Sequence, residues 1–377
     1  MMEQNNKIQL ISFDNPYPPN FGGVIDVFFK IQALHAIGYE IYLHCFVKEI
    51  PKEYTELEKI TSQVFFYKIK QNPIYLFAST PFSILSRNDK MLLKNMEELK
   101  HPILYEGLKT TFSFDSESIK DIPKFLRLHN IEEDYFNGIA KSETKLTKKL
   151  LYYFEAKKFK QYKFIFEKCS GIFTLSVNDT SKMQLLNKKT KFIPVFHGNT
   201  SIPNLSEFGD YAFYHGDLTS SDNRKSVLFL ISIFKEIKSK KLIISSSSNQ
   251  EFVNKAIGNA KNIEFVYLKN HSHLLDLFSK AHINICWSFQ QSGTKLKVIN
   301  SIFNSRFCII NENSIDDPVI VNLCELVHNK EALFQKIIQL FNTPYRIGKE
   351  REKSLTKYML DTNNALLMNE FIQKAIK

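Results

Sequence analysis

Lys7-Ile8-Gln9-Leu10-Ile11-Ser12-Phe13 leads into Asn20-Phe21-Gly22-Gly23, and Ile283-Asn284-Ile285-Cys286-Trp287-Ser288 leads into Ser292-Gly293-Thr294-Lys295-Leu296-Lys297. Each is a hydrophobic strand-like run that gives way, through glycine, to a segment of helical periodicity. Val24, Val27, Phe28, Ile31, Leu34 and Ala36 recur after the first, and residues 294–303 are helix-like after the second. The free N–H groups at such a helix start favour an anion, and glycine lets that anion come close to the main chain. A diphosphate is the matching ligand. Because the two junctions lie in opposite halves of the chain, the expected fold is α/β, with two Rossmann-like doubly wound domains facing a cleft.

The size of the chain agrees with two domains. At 377 residues and 44% hydrophobic composition it can bury two ordinary cores. Its formal charge of +11 comes from lysines set among glutamates and asparagines, with no concentrated arginine stretch, which argues against nucleic acid. Such a surface suits nucleoside-diphosphate substrates or the anionic inner face of a membrane. The first apolar stretch ends by Asp14 and no run approaches the roughly 20 residues of a membrane span, so the expected location is cytoplasmic, peripheral at the inner membrane face. Cys45, Cys169, Cys286, Cys308 and Cys324 are odd in number and lack C-x-x-C spacing, and they read as reduced core thiols.

Strand patterns at 7–13, 40–47, 64–69, 102–106, 124–129, 172–177 and 191–197 alternate with helical ones, and a second alternating set begins at 211 after a Gly, Asn, Thr, Ser and Pro-containing stretch at 198–209. The expected domains are 1–200, which binds the acceptor, and 201–344, which binds the donor, with a helical tail at 345–377 returning to the first. Residues 141–170 read as one long helix rich in lysine and aromatics. Its aromatics are either core or a basic aromatic face resting on lipid headgroups.

Four motifs lie at strand ends or helix starts: Pro16 to Gly23, Leu126-Arg127-Leu128-His129-Asn130-Ile131-Glu132, Tyr214-His215-Gly216-Asp217-Leu218 with Ser221-Asp222-Asn223-Arg224-Lys225, and Gln290-Gln291-Ser292-Gly293-Thr294-Lys295-Leu296-Lys297-Val298-Ile299-Asn300. Together they resemble the GT-B glycosyltransferases, and most of all the retaining nucleotide-sugar transferases grouped as family GT4. The resemblance implies catalytic roles for His129, Lys297 and Arg224. It implies donor contacts at Gly22, Gly23, Gly216, Asn223, Gln291, Ser292, Gly293, Thr294 and Asn300, and acceptor contacts at Asn20, Glu106, Arg127, Asn130 and Glu132. Relatives often carry a Lys-Gly pair where this chain has Asn223-Arg224, and glutamates where it has Gln290 or Gln291 and Asn300.

The implied reaction moves a sugar from a nucleoside-diphosphate sugar of UDP or GDP type to a hydroxyl of a saccharide or lipid-linked acceptor, with retention, in cell-surface glycan biosynthesis. No D-x-D triplet occurs, so neither a catalytic metal nor any other cofactor is expected. The alternatives are a sugar-nucleotide epimerase of the same fold, which needs paired acids, and an inactive scaffold that binds sugar nucleotides.

Overall fold

The computed structural model describes residues 6–20, 22–143, 145–290 and 296–376. They form two compact units, Met1–Gly198 with Asp361–Lys377, and Asn199–Leu360. The first unit is built on seven parallel strands: β1 Lys7–Ser12, β2 Glu40–Val47, β3 Gln63–Lys68, β4 Ile103–Glu106, β5 Lys124–Leu128, β6 Gly171–Thr174 and β7 Thr190–Phe192. Their order in the sheet is β3-β2-β1-β4-β5-β6-β7, so the winding reverses between β1 and β4. Ligands of doubly wound sheets sit at the carboxyl ends of the strands at such a reversal.

Both faces of the sheet are covered, and the central strands are accordingly buried along nearly their whole length rather than at alternate residues. Ile8, Leu10, Leu43, Leu104 and Phe125 are fully buried with Val24, Val27, Ile31 and Leu34 of the helix Gly22–Ala36. Each such side chain contributes on the order of 1.5–3 kcal/mol by leaving water. The same helix also buries Asp26 and Lys30.

The tail divides between the units. Residues up to Leu360 belong to the second: Tyr345 N donates to Glu207 O at 2.7 Å, and Arg351 donates to the carbonyls of Ile302, Ser305 and Arg306. The helix Asp361–Ile376 belongs to the first, where Ala365, Met368 and Ile372 join its core. There Tyr39 Oη donates to Asn369 Oδ1 at 2.7 Å, and the Asp361 carboxylate accepts from the backbone N–H groups of His197 and Gly198.

The single long helix expected at 141–170 is not formed. Three helices stand there, Glu132–Ser142, Leu146–Gln161 and Phe164–Lys168, with extended backbone at Glu143 and Lys145. The first two fold back on each other because Phe136 stacks on Phe159 at 5.4 Å and meets Tyr152 at 6.2 Å. The aromatics that made the run look continuous are what closes the hairpin.

The second unit has six parallel strands: β8 Tyr211–His215, β9 Leu242–Ser246, β10 Ile263–Tyr267, β11 Ala281–Cys286, β12 Phe307–Ile310 and β13 Glu325–Leu326. Their order, β10-β9-β8-β11-β12-β13, reverses between β8 and β11. The helix Ser221–Phe234 follows β8, and Leu296–Asn304 lies between β11 and β12.

Candidate active site

In the first unit a fully buried network of charges occupies the strand ends. Lys30 Nζ donates to Asp26 Oδ2 at 2.9 Å and to Glu106 Oε1 at 2.7 Å, and the Arg127 guanidinium holds both oxygens of Asp26. Arg127 also donates to the carbonyls of Thr174, Ile193 and Pro194, so all five of its N–H groups are engaged within the protein. The acceptor contact expected of Arg127 finds its donors already engaged, and the side chain joins β5 to the helix Gly22–Ala36 and to the segment after β7. Glu106 is likewise fully buried and bonded on both oxygens, which takes it out of direct acceptor contact.

Burial by itself would raise both carboxyls, but Lys30 and His129 hold Glu106, and Arg127 and Lys30 hold Asp26, below the usual carboxylate range. Two carboxylates and two cations leave the network neutral. Among the described residues Asp26, Glu106 and His129 form the one grouping whose ligand atoms lie near enough, within 4.8 Å of one another, for a metal ion. Lys30 already places an ammonium against both of its carboxylates, and this is a poor cradle for a second cation.

His129 closes the network. Its Nε2 lies 3.0 Å from Glu106 Oε2, and its side chain is only 8% exposed. Burial lowers its pKa below the usual 6.5, so the ring is neutral at pH 7, and an ionised Glu106 can only accept. The proton must then sit on Nε2. Nδ1 is left as a buried lone pair with no partner among the described residues. The ring stands edge-on to Phe13, at 5.5 Å. Phe13 in turn occupies the space a Cβ on Gly23 would need, 2.6 Å away, so Gly23 acts here by packing.

A second polar group surrounds Phe13. Lys109 Nζ stands 3.8 Å from the Phe13 ring centre and makes no hydrogen bond or ion pair among the described residues. Burial pulls its pKa down and pushes that of Glu132 up, and it takes Arg87 down to about 10. Arg87 donates to Phe13 O at 3.1 Å and so fixes the end of β1. Asn130 carries a buried Oδ1 without a partner among the described residues, and Asn20 is exposed.

In the second unit the site is organised around Lys297. Its Nζ donates to Asn223 Oδ1 at 3.0 Å and lies 5.1 Å over the Tyr214 ring. Burial tends to remove its proton, but Tyr214, Cys286 and Asp222 reverse that, and the ammonium is retained. Tyr214 Oη donates to the same Asn223 Oδ1 at 3.1 Å, and Asn223 Nδ2 donates to Asp217 O at 2.8 Å. Gly216 makes room for this arrangement, because a Cβ there would lie 3.1 Å from the Asn223 side chain. Asp222 accepts from Ser288 Oγ and from Phe289 N, both at 2.9 Å, and so ties the start of the helix Ser221–Phe234 to the loop after β11.

Two expected contacts are engaged elsewhere. Arg224 Nη1 donates to the carbonyls of Leu218 and Thr219, bracing its own loop. Asn300 Oδ1 accepts from Asn199 Nδ2 at 3.0 Å. Gln291, Ser292, Gly293 and Thr294 lie outside the described residues, as do Phe21 and Lys295. Asp26, Lys30, Lys109 and Arg87 were missed, and Tyr214, quoted within a motif, was given no role of its own. Asp26 and Lys30, four apart, lie on the buried side of the helix whose exposed side carries Gln32 and His35.

No protein-family model matches the chain. A curated relative, an uncharacterized 44.6 kDa protein in the cps region of Klebsiella pneumoniae, is 24% identical over 353 residues, which is 88% of this chain and 90% of that one. Among solved structures the chain is similar to a glycosyltransferase from Rickettsia africae ESF-5, with a TM-score of 0.62 and 14% identity over 98% of each chain. It is similar to TarM, at a TM-score of 0.63 and 11% identity over 98% of this chain and 97% of that one. It is also similar to AviGT4, a glycosyltransferase involved in avilamycin A biosynthesis, at 0.58 and 10% over 98% of each chain. At these identities the likeness shows the fold alone: two parallel-sheet α/β units, the GT-B fold.

Proposed function

We propose that the protein transfers a sugar from a nucleoside-diphosphate sugar, of UDP or GDP type, to a hydroxyl of a saccharide or lipid-linked acceptor in cell-surface polysaccharide biosynthesis, without a metal. The observation that carries this reading is the Lys297 ammonium, half-buried at the winding reversal of the second unit and held by Asn223 and Tyr214. A cation fixed beforehand at strand ends stabilises a departing diphosphate without reorganising, which is the largest catalytic effect open to such a site. The cps-region relative supports placing the acceptor among cell-surface polysaccharides.

In the first unit, His129 Nδ1 is offered to a substrate hydroxyl as an acceptor, with the tautomer set by Glu106. A retaining outcome, in which the leaving phosphate takes the proton of the incoming hydroxyl, suits a site whose buried carboxylates are already paired with Lys30 and Arg127. That pairing also disfavours the epimerase alternative, which needs acids free to exchange protons.

A thermal-shift panel of UDP, GDP, ADP and CMP sugars, followed by hydrolysis and transfer assays, tests the reading. One nucleotide class is expected to raise the melting temperature, since binding to the native state alone stabilises it. No shift with any member of the panel would sink the proposal.

A further inference from the structure

The helix Leu146–Gln161 turns Glu155, Ala156 and Phe159 inward and leaves an apolar stripe outside. Leu146 is 69% exposed, Leu150 50% and Phe154 62%, and spacings of four residues put them on one side of the helix. The short helix Pro73–Phe77 adds Ile74, 65% exposed, and Phe77, 89% exposed. It is fastened to the first, since Lys158 Nζ donates to Leu76 O at 2.9 Å, and Glu155 Oε2 accepts from Phe82 N, just beyond it, at 2.9 Å. Single exposed apolar residues are ordinary, but five on two joined elements form a patch. By helical spacing Lys157 falls within this stripe and Lys149 and Lys160 at its edge, with no side-chain hydrogen bond or ion pair among the described residues. Glu155, the one acid of this helix, points inward and pairs with Lys158.

We infer that this face seats the protein on an anionic lipid bilayer. The choice of occupant follows from charge and shape. Lysines interleaved with large apolar side chains meet both parts of a bilayer surface at once, the ammonium groups among anionic headgroups and Phe77, Ile74, Leu150 and Phe154 at the acyl boundary. No helix among the described residues is long and apolar enough to cross a membrane, so the contact is one of lying on the surface. The inference does not depend on the sugar-transfer reading, and its test uses no substrate.

The full chain is floated with phosphatidylcholine vesicles, with and without phosphatidylglycerol, at low and high salt. It is expected to float with the anionic vesicles alone, and less as salt rises. Changing Lys149, Lys157 and Lys160 together to Gln should weaken partitioning roughly a hundredfold, at about fivefold per lysine. Changing Phe77, Leu150 and Phe154 to Ser should weaken it as well. A Phe77→Trp variant gives a second readout that needs no lost contact: a blue shift on anionic vesicles over the constant signal of Trp287, the chain's single tryptophan, which is buried. The inference is overturned if the wild type stays unbound at low salt, if either triple variant floats like the wild type, or if the apolar triple variant changes oligomeric mass and not flotation, which would make this face a protein interface.

Discussion

Replacing Lys30 by Met removes the one ammonium that touches both Asp26 and Glu106, at 2.9 and 2.7 Å, in surroundings where all three side chains are fully buried. The network then holds two carboxylates against one guanidinium, a net charge of −1 out of reach of water. Breaking a buried pair in this way costs about 3–5 kcal/mol. The pH dependence is the sharper signature. In the wild type His129 has its pKa depressed in the fold, by burial first, so the unfolded chain takes up a proton before the folded one does, and stability falls as pH drops through about 6.5. In Lys30→Met the repelling ammonium is gone and the surplus negative charge favours imidazolium, which raises the folded pKa above the unfolded one. Stability from that proton is fully present below the unfolded pKa and is lost as pH rises through the folded one. The penalty should therefore be largest near pH 8 and shrink toward pH 5.5 by about 1.4 kcal/mol per pH unit while His129 titrates. Urea unfolding followed by circular dichroism measures it, and Trp287 fluorescence reports the second unit separately. A Lys30→Met/His129→Gln variant should lose the recovery near neutral pH. A penalty that is the same at pH 5.5 and pH 8, or larger in acid, would refute the charge balance argued here.

Other expectations follow from single contacts. Lys297→Met should reduce turnover about a hundred- to a thousandfold with the melting temperature little changed, and normal turnover would remove the residue from its role. Asn223→Asp should weaken nucleotide-sugar binding more than Asn223→Ala, because it neutralises the ammonium it holds; titration calorimetry decides, and equal affinities would count against the arrangement. Gly209→Ala should destabilise by about 3 kcal/mol, since its Cβ would stand 2.6–2.7 Å from backbone atoms of Lys280, Ala281 and His282 that cannot move aside. Gly138→Ala, in a helix with open space around it, should instead stabilise by about 0.5–1 kcal/mol, which serves as the control for that measurement.

The strands were legible because a parallel sheet buried on both faces demands predominantly apolar runs, and β1, β2, β5, β8, β9 and β11 supply them, each interrupted by only one to three polar residues. The break near residue 143 was not. No glycine or proline marks it, and it is set by Phe136 finding Phe159, a tertiary contact that local periodicity does not encode. At the site, residue type was a better guide than residue role. Arg127 and His129 were both recognised as chemistry-bearing at one strand end, and because residues two apart on a strand share a face, it is their partners and not their direction that set them apart. Arg127 is engaged inward on Asp26 and three carbonyls, while His129 keeps one nitrogen unpartnered. Asp26 and Lys30 were passed over because an i, i+4 pair normally marks a solvated helix face, and here the partner that keeps it buried, Glu106, comes from a strand 76 residues away.

The two units compensate their charges in different ways. In the first, every charged group of the network meets an opposite charge within 3.0 Å, and such an arrangement asks nothing of a ligand. In the second, Lys297 is met by a neutral amide and the face of a neutral phenol, since burial raises the Tyr214 pKa. Asp222, the carboxylate that acts on Lys297, is already engaged by Ser288 Oγ and Phe289 N. A half-buried cation whose hydrogen-bond partner is a neutral amide is left for an anionic ligand to complete. A diphosphate supplies that charge at a winding reversal, where a doubly wound sheet already favours ligand binding. Nucleotide binding should therefore stabilise the second unit against unfolding far more in the wild type than in Lys297→Met, and equal stabilisation of both would mean that the ammonium is structural.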